Sequence, residues 1–284
     1  MIVSVKPLHS LAAAVLDGLG EPQLLVDGAA SPHSFELRPS QARALQDADL
    51  LVLVGAGLEP FEARLERPAE RRVIRMSDLS GIRLRPLGTP GPADGHDAHE
   101  GHAEEGAGID PHLWLDPANM SRLAAEIAGA MIELDPENAD TYEANLERVE
   151  KELAVLDRSI EERLESYGER PFVVGHDAYG YFTSRYGLRQ AGVVALAPER
   201  GPGARTLRAL RARVEELAPV CVFREPGLAP DLLQTIADGV AVEFGELDPL
   251  GVGLPAGPDH YPTMMRGLAG SFVDCLSRLP PQGG

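Results

Sequence analysis

The sequence predicts an α/β protein of two lobes with mainly parallel sheets, joined by one long connecting helix. Short apolar runs alternate with helical patterns through both halves of the chain, the pattern of βαβ units. The alternation breaks once, from Pro136 to Tyr167, where a single helical stripe replaces it. A length of 284 residues with 44% hydrophobic content is enough to bury two modest cores.

In chain order, the first strands read as Ile2–Val5, Leu24–Val26, Leu50–Val54 and Val73–Ile74. Each is a short apolar run bounded by turn residues. Between them, Ser40 opens the helical pattern "SQARALQDA" as a cap. The long helix follows: Tyr142, Leu146, Val149, Leu153, Leu156, Ile160, Leu164 and Tyr167 recur at steps of three and four. Asp135 caps it, and Pro136 suits the first helical position. At ~1.5 Å per residue it extends roughly 45–50 Å, more than one small domain needs, so it reads as a connector between lobes. The second set of strands is Phe172–Val174, Val193–Val194, Val220–Phe223 and Val240–Phe244, with Thr206 opening "TLRALRARVEEL". The expected organisation is therefore an N-terminal lobe over 1–116, a helical segment over 117–168 that includes the connector, and a C-terminal lobe over 169–284. Within the first, about 87–108 is rich in Gly, Pro, Ala, His and Glu and reads as a flexible surface loop.

A formal net charge of −18 argues against nucleic acid and anionic membrane surfaces as partners, and suits a protein that handles a cation. There is no run of about 18 apolar residues to span a bilayer. The N-terminus has neither a basic n-region nor a cleavage site, so either the chain is cytoplasmic or Met1 stands where a signal peptide has been removed. Two cysteines, Cys221 and Cys275, form a disulfide or are two buried thiols; the sequence alone leaves both open.

Three of the eight histidines, His96, His99 and His102, crowd into "GHDAHEGHAEE". A metal there would first have to order a chain that buries little, so the loop reads as an auxiliary site of lower affinity. Other histidines are better placed. His33 follows the strand "LLV", His176 follows "FVV", and Asp248 follows "VAVEF", each just past a carboxyl end, where parallel sheets form their ligand crevices. His112 lies in "DPHLWLDP". Three imidazoles and one carboxylate converging across a cleft between the lobes make a tetrahedral set suited to Zn2+. Singly, each has a plainer reading: His33 as a surface or capping residue, His112 packed on Trp114, His176 capping the helix near Ala178, Asp248-Pro249 starting a turn. His9 and His260 keep the plain reading. No HExxH motif is present, and no catalytic residue is assigned.

Taken together, "VSVKPLHSLAAAV", "DGAASPHSFELRPSQARALQDADLLVLVG", "HLWLDP", "FVVGHDAYGYF", "PERGPGARTL", "CVFREP" and "LDPLG" resemble a known family in its own order over nearly the whole chain. It is the substrate-binding proteins of bacterial metal-uptake ABC transporters, the cluster A-I receptors, of the zinc-specific, ZnuA type. The resemblance implies two α/β lobes joined by a long helix, a metal site between them, and the ligands His33, His112 and His176. Some zinc members have an acidic residue just before the first histidine; here it is Pro32, so Asp248 of "LDPLG" is expected as the fourth ligand. Manganese-specific relatives often carry a carboxylate where His176 stands. The resemblance also implies a Cys221–Cys275 disulfide joining a second-lobe strand to the last helix, and a periplasmic location with the signal peptide absent from this chain. Glu225 matches the family without an assigned role. The expected partners are the membrane permease of a zinc ABC transporter and a periplasmic zinc donor, with no nucleic acid and the chain a monomer. Two rivals stand beside this: a zinc-dependent hydrolase with a three-histidine site, and a metal-dependent adhesin on the same fold.

Overall fold

The computed structural model describes residues 1–28, 30–64, 71–88, 108–195, 203–226 and 230–280. The chain forms two compact units. The first comprises Met1–Leu84, Pro111–Arg158 and Leu250–Met264; the second comprises Arg85–Asp110, Ser159–Pro249 and Met265–Gly284. No helix among the described residues is long and apolar enough to cross a membrane.

The first unit is built on β1 (Ile2–Val3), β2 (Gln23–Leu24), β3 (Leu50–Leu53) and β4 (Arg72–Arg75), all parallel in the order β2-β1-β3-β4. Its central strand β3 reads Leu-Leu-Val-Leu and is buried throughout, as a parallel strand covered on both faces must be. Ile2, Leu25, Leu45, Leu51, Leu53 and Phe61 close one core. Strand β1 is shorter than the apolar run that announces it. Lys6 and Pro7 turn the chain into α1 (Lys6–Val15), where a proline in the first turn needs no intrahelical donor, and Val5 becomes the residue before the helix. Helix α2 (Pro39–Asp47) likewise starts at its proline rather than at Ser40. Its N-cap is Arg38, whose backbone N–H donates to the Gln41 side chain at 3.0 Å. Asp116 caps α3 (Pro117–Leu134), its carboxylate accepting from the Ala118 N–H at 2.9 Å.

The predicted long helix is present. It opens with a 3-10 turn, Pro136–Asn138, continues as α4 (Ala139–Leu164), and closes with a second 3-10 turn, Glu165–Tyr167. Asp135 does not cap a backbone N–H. Its carboxylate instead accepts from the Asn138 amide (2.8 Å) and the Tyr142 hydroxyl (3.1 Å). Tyr142, Val149, Leu153, Leu156, Ile160 and Leu164 are buried, the stripe that the periodicity marks. The helix belongs to the first unit up to Arg158 and to the second from Ser159.

The second unit repeats the strand order. Strands β5 (Phe172–His176), β6 (Gln190–Ala195), β7 (Val220–Arg224) and β8 (Val242–Glu246) lie parallel as β6-β5-β7-β8. Alternation sends Val173, Val220 and Val222 to one face, with Leu210 and Val214 of α6 (Ala204–Leu217) and Leu233 and Ile236 of α7 (Pro230–Ala237). The α6 helix begins before Thr206, directly after Gly203. Phe172 and Phe223 face the other way, onto Phe272 of α8 (His260–Leu276), with ring centroids 5.0 and 4.9 Å apart. Gly245 is paired in register with Phe223, and a Cβ there would come within 2.5 Å of that ring, so the aromatic layer requires glycine at this place. The Cys221–Cys275 disulfide ties β7 to α8, and both cysteines are fully buried.

Candidate metal centre

In each sheet the chain runs from the first strand to one side and then returns to the other side of it, so a crevice opens past the carboxyl ends of the two middle strands. In the second sheet those strands are β5 and β7. His176 is the last residue of β5, and Glu225 is the first residue after β7. Parallel pairing sets them side by side. The Glu225 carboxylate accepts the His176 backbone N–H at 3.1 Å on one oxygen and stands 2.5 Å from His176 Nδ1 with the other. Both groups are almost wholly buried. A carboxylate only accepts, so the ring proton is on Nδ1, and Nε2 presents its lone pair. This is how metal-binding imidazoles are commonly held, by a partner that fixes the tautomer and ring plane.

The β7–β8 ladder continues through Arg224 and Glu246, and the Leu247 N–H donates to the Arg224 carbonyl at 2.9 Å. Asp248 therefore stands one residue past the ladder, half-buried, on the same edge as Glu225. Tyr179 lies edge-on to His176, centroids 6.3 Å apart. Its phenol is pushed well above its ordinary pKa by burial, reinforced by the charges of Glu225 and Asp248. Asp177, next to His176, is also buried, and its pKa is raised by that burial and then by the nearby Asp110. It accepts the Gly88 N–H at 2.8 Å. Gly88 belongs to a short antiparallel stem, in which Pro86 bridges Ile109 and Leu87 N–H meets the Gly108 carbonyl at 2.8 Å. The stem brackets the segment that carries His96, His99 and His102, which lie outside the described residues.

In the first unit, His33 sits on a 3-10 turn, Pro32–Ser34, in the segment after β2, and is half-buried. His112 precedes the turn Leu113–Leu115 and is 2% exposed. Its ring meets Trp114 edge-on at 5.3 Å, and the Trp114 carbonyl accepts from the Tyr261 hydroxyl at 2.9 Å. Packing on Trp114 thus holds His112 without using up its Nε2. Asn119 braces the same turn from below by donating to the Leu113 carbonyl at 3.2 Å. The two Nε2 atoms of His33 and His112 face each other at 3.3 Å. One imidazole N–H against one lone pair gives such a distance. So does the edge of a zinc tetrahedron, since Zn–N bonds of about 2.0–2.1 Å at tetrahedral angles separate two nitrogens by about 3.3–3.4 Å.

The structure therefore brings His33 to His112 within the first unit, and gathers His176, Glu225, Tyr179 and Asp248 within the second. His176 does not cap a helix: α5 (Gly180–Tyr186) starts four residues later, and the imidazole is turned to Glu225. His9 and His260 are structural. His9 Nε2 donates to the Pro22 carbonyl (2.9 Å), and burial lowers its pKa. His260 lies against the Leu250 and Pro255 carbonyls at 2.9 and 3.0 Å. Beside His176 stand Glu225, which the sequence marks by resemblance without a role, and Tyr179, which sequence reasoning passes over. The available signal is an acidic residue directly after the strand that neighbours His176.

Residues 1–275 match the family model "ZnuA: Zinc-uptake complex component A periplasmic". The high-affinity zinc uptake system protein ZnuA of Brucella suis biovar 1 is 37% identical, over 98% of this chain and 92% of that protein. The protein of the same name from Yersinia pestis is 34% identical, over 97% and 91%. Among solved structures, one described as the crystal structure of ZnuA superposes with a TM-score of 0.79 at 29% identity, covering 96% of this chain and 97% of that one. A ZnuA deletion mutant with zinc bound gives 0.78 at 29% identity, with 98% of each covered. A match over nearly the whole length, together with relatives above 30% identity, places this chain in the ZnuA family of periplasmic zinc-uptake components.

Proposed function

We propose that this protein captures Zn2+ in the periplasm with His33, His112, His176 and Asp248 and passes it, chemically unchanged, to the permease of an ABC transporter. The observation that carries this reading is the pairing of two Nε2 atoms at 3.3 Å, a spacing that fits two corners of a zinc tetrahedron. A third imidazole has its Nε2 turned outward by Glu225, and Asp248 supplies an oxygen on the same edge. Three nitrogens and one oxygen favour zinc over manganese on ligand softness. Membership of the family supports uptake as the purpose. The disulfide supports an oxidising compartment, where such bonds persist.

A hydrolase needs an open coordination position and a base beside it. With Asp248 as ligand the position is closed, and Glu225 is committed to His176 through both oxygens. The protein is therefore read as a carrier, not an enzyme, acting as a monomer with a permease and a zinc donor as its partners. His96, His99 and His102 form an auxiliary site of lower affinity that gathers zinc before capture.

Competition titration against a chelating dye tests the ligand set. His33→Ala, His112→Ala and His176→Ala should each lose zinc affinity sharply, and Asp248→Ala less, because water can take the fourth position. Unchanged affinity in any of the three histidine variants would remove that residue from the site. Transfer of zinc to the permease in reconstituted vesicles separates a carrier from an enzyme or adhesin.

A further inference from the structure

The chain leaves the first unit after Leu84 and re-enters it at Pro111; the residues between, Arg85–Asp110, belong to the second. Asn119, in the first turn of α3, joins the two ends of that excursion. Its Oδ1 accepts the Arg83 N–H at 2.8 Å. Its Nδ2 donates to the Arg83 carbonyl at 3.1 Å and to the Leu113 carbonyl at 3.2 Å. Arg83 lies outside every helix and strand, so the amide pairs with its backbone as a neighbouring strand would. The orientation is forced, because a flipped amide would set its NH2 against an N–H and its oxygen against two carbonyls. Asn119 is 1% exposed, and both of its amide hydrogens are used. Leu113 opens the turn that follows His112, and the Leu115 N–H bonds back to the His112 carbonyl at 3.1 Å. Whatever holds Leu113 therefore sets where the His112 backbone stands, and with it the imidazole.

From this we infer that Asn119 is a positioning residue for zinc capture: by tying Arg83 to Leu113 it clamps the root of the excursion and keeps His112 at its 3.3 Å spacing from His33. The inference rests on the zinc site proposed above and concerns how one of its ligands is held. A ligand serves a metal when it is kept within about 0.5 Å of its working geometry. Tyr261 separately braces the neighbouring Trp114 carbonyl, so loss of Asn119 loosens His112 without releasing it.

The test uses Asn119→Ala and Asn119→Ser, with folding verified by circular dichroism and zinc affinity measured by dye competition. Affinity should fall about 10-fold, the lower end of the cost of removing a group that orients a metal ligand. The loss should persist in the His176→Ala background and vanish in His112→Ala, because Asn119 acts through His112. A general loss of stability would weaken zinc equally in both backgrounds. That outcome, or native affinity in both Asn119 variants, overturns the inference and leaves the zinc site standing. The native protein carries a second readout. If opening the clamp costs zinc affinity, bound zinc resists that opening by the same factor. The Arg83 amide should therefore exchange with deuterium about 10-fold more slowly with zinc than without. Equal exchange rates overturn the inference even where neither variant folds. If His112→Ala binds zinc as tightly as the native protein, the site itself is wrong and this inference falls with it.

Discussion

Opening the Cys221–Cys275 disulfide should destabilise the protein by about 4 kcal/mol. The two cysteines are 54 residues apart, and cross-linking them restricts a loop of about that length in the unfolded chain. The loop-entropy relation for such a length gives about 14 cal/mol/K, or about 4 kcal/mol at 25 °C. Both sulfurs are fully buried, so the comparison needs two controls. In the reduced native sequence the thiols keep the volume, and only the cross-link is lost. The Cys221→Ala, Cys275→Ala double variant loses the link and also leaves small voids between β7 and α8. Denaturant unfolding of the oxidised, reduced and double-alanine forms separates these contributions. The reduced form should show a lower midpoint and a steeper m-value, because its unfolded chain exposes more surface. The double variant should lie lower still. If the reduced form lies within about 1 kcal/mol of the oxidised one, loop closure is not what this bond contributes, and the entropic reasoning fails here. The closed loop contains Glu225 and Asp248, so zinc stoichiometry under native conditions should be followed in the same samples.

Glu225→Gln should weaken zinc binding about 10- to 100-fold, since its amide can no longer accept at both positions now held by His176; a dye titration showing native affinity would remove Glu225 from the metal centre. Glu59, just past β3, accepts the Val54 and Gly55 N–H groups, and burial pushes its pKa from 4.5 up to about 7. The folded protein therefore binds this proton more tightly than the unfolded chain does. The resulting stability is full below about pH 4.5 and is lost as pH rises towards about 7, a change of about 3 kcal/mol. Stability curves over that window should be flatter in Glu59→Gln, and parallel curves would contradict the assignment. Deleting Asp94–Glu105 should leave one tight zinc per chain by calorimetry and abolish a weaker second one, whereas loss of the tight one would make that segment the principal site.

Much of the fold was legible because burial on both faces gives parallel strands an unmistakable apolar run. All eight predicted strands are present. Their limits shifted where a neighbouring residue had a stronger local preference. Pro7 and Pro39 set helix starts that Val5 and Ser40 suggested differently. Strand β5 extends past Val174 to His176, which changed the meaning of that histidine: at the end of a strand it reaches across to β7, and in a turn it would not. His33 and His112 were singled out by position and resemblance, but their mutual distance was not readable, because 79 residues separate them. Glu225 was noted by resemblance, but its contact with His176 was hidden for the same reason. Its partner is 49 residues away, and only the strand order makes them neighbours.

Neither unit is a continuous stretch of chain, and that limits how the gene can be cut. A fragment ending at Arg158 would encode most of the first unit but omit Leu250–Met264. Lys6, buried in α1, donates to the carbonyls of Val252 and Leu254 at 3.0 Å each, and Ser10 donates to Pro258 at 2.7 Å. Without those acceptors, the ammonium of Lys6 would be left in an apolar setting with Asp27 at 3.8 Å as its remaining charged neighbour. Such a fragment should be recovered unfolded unless Leu250–Met264 is supplied as a separate peptide or fused ahead of Met1. For this protein, the dispensable joint between two genes would lie not in the long helix but at the two ends of a fifteen-residue return.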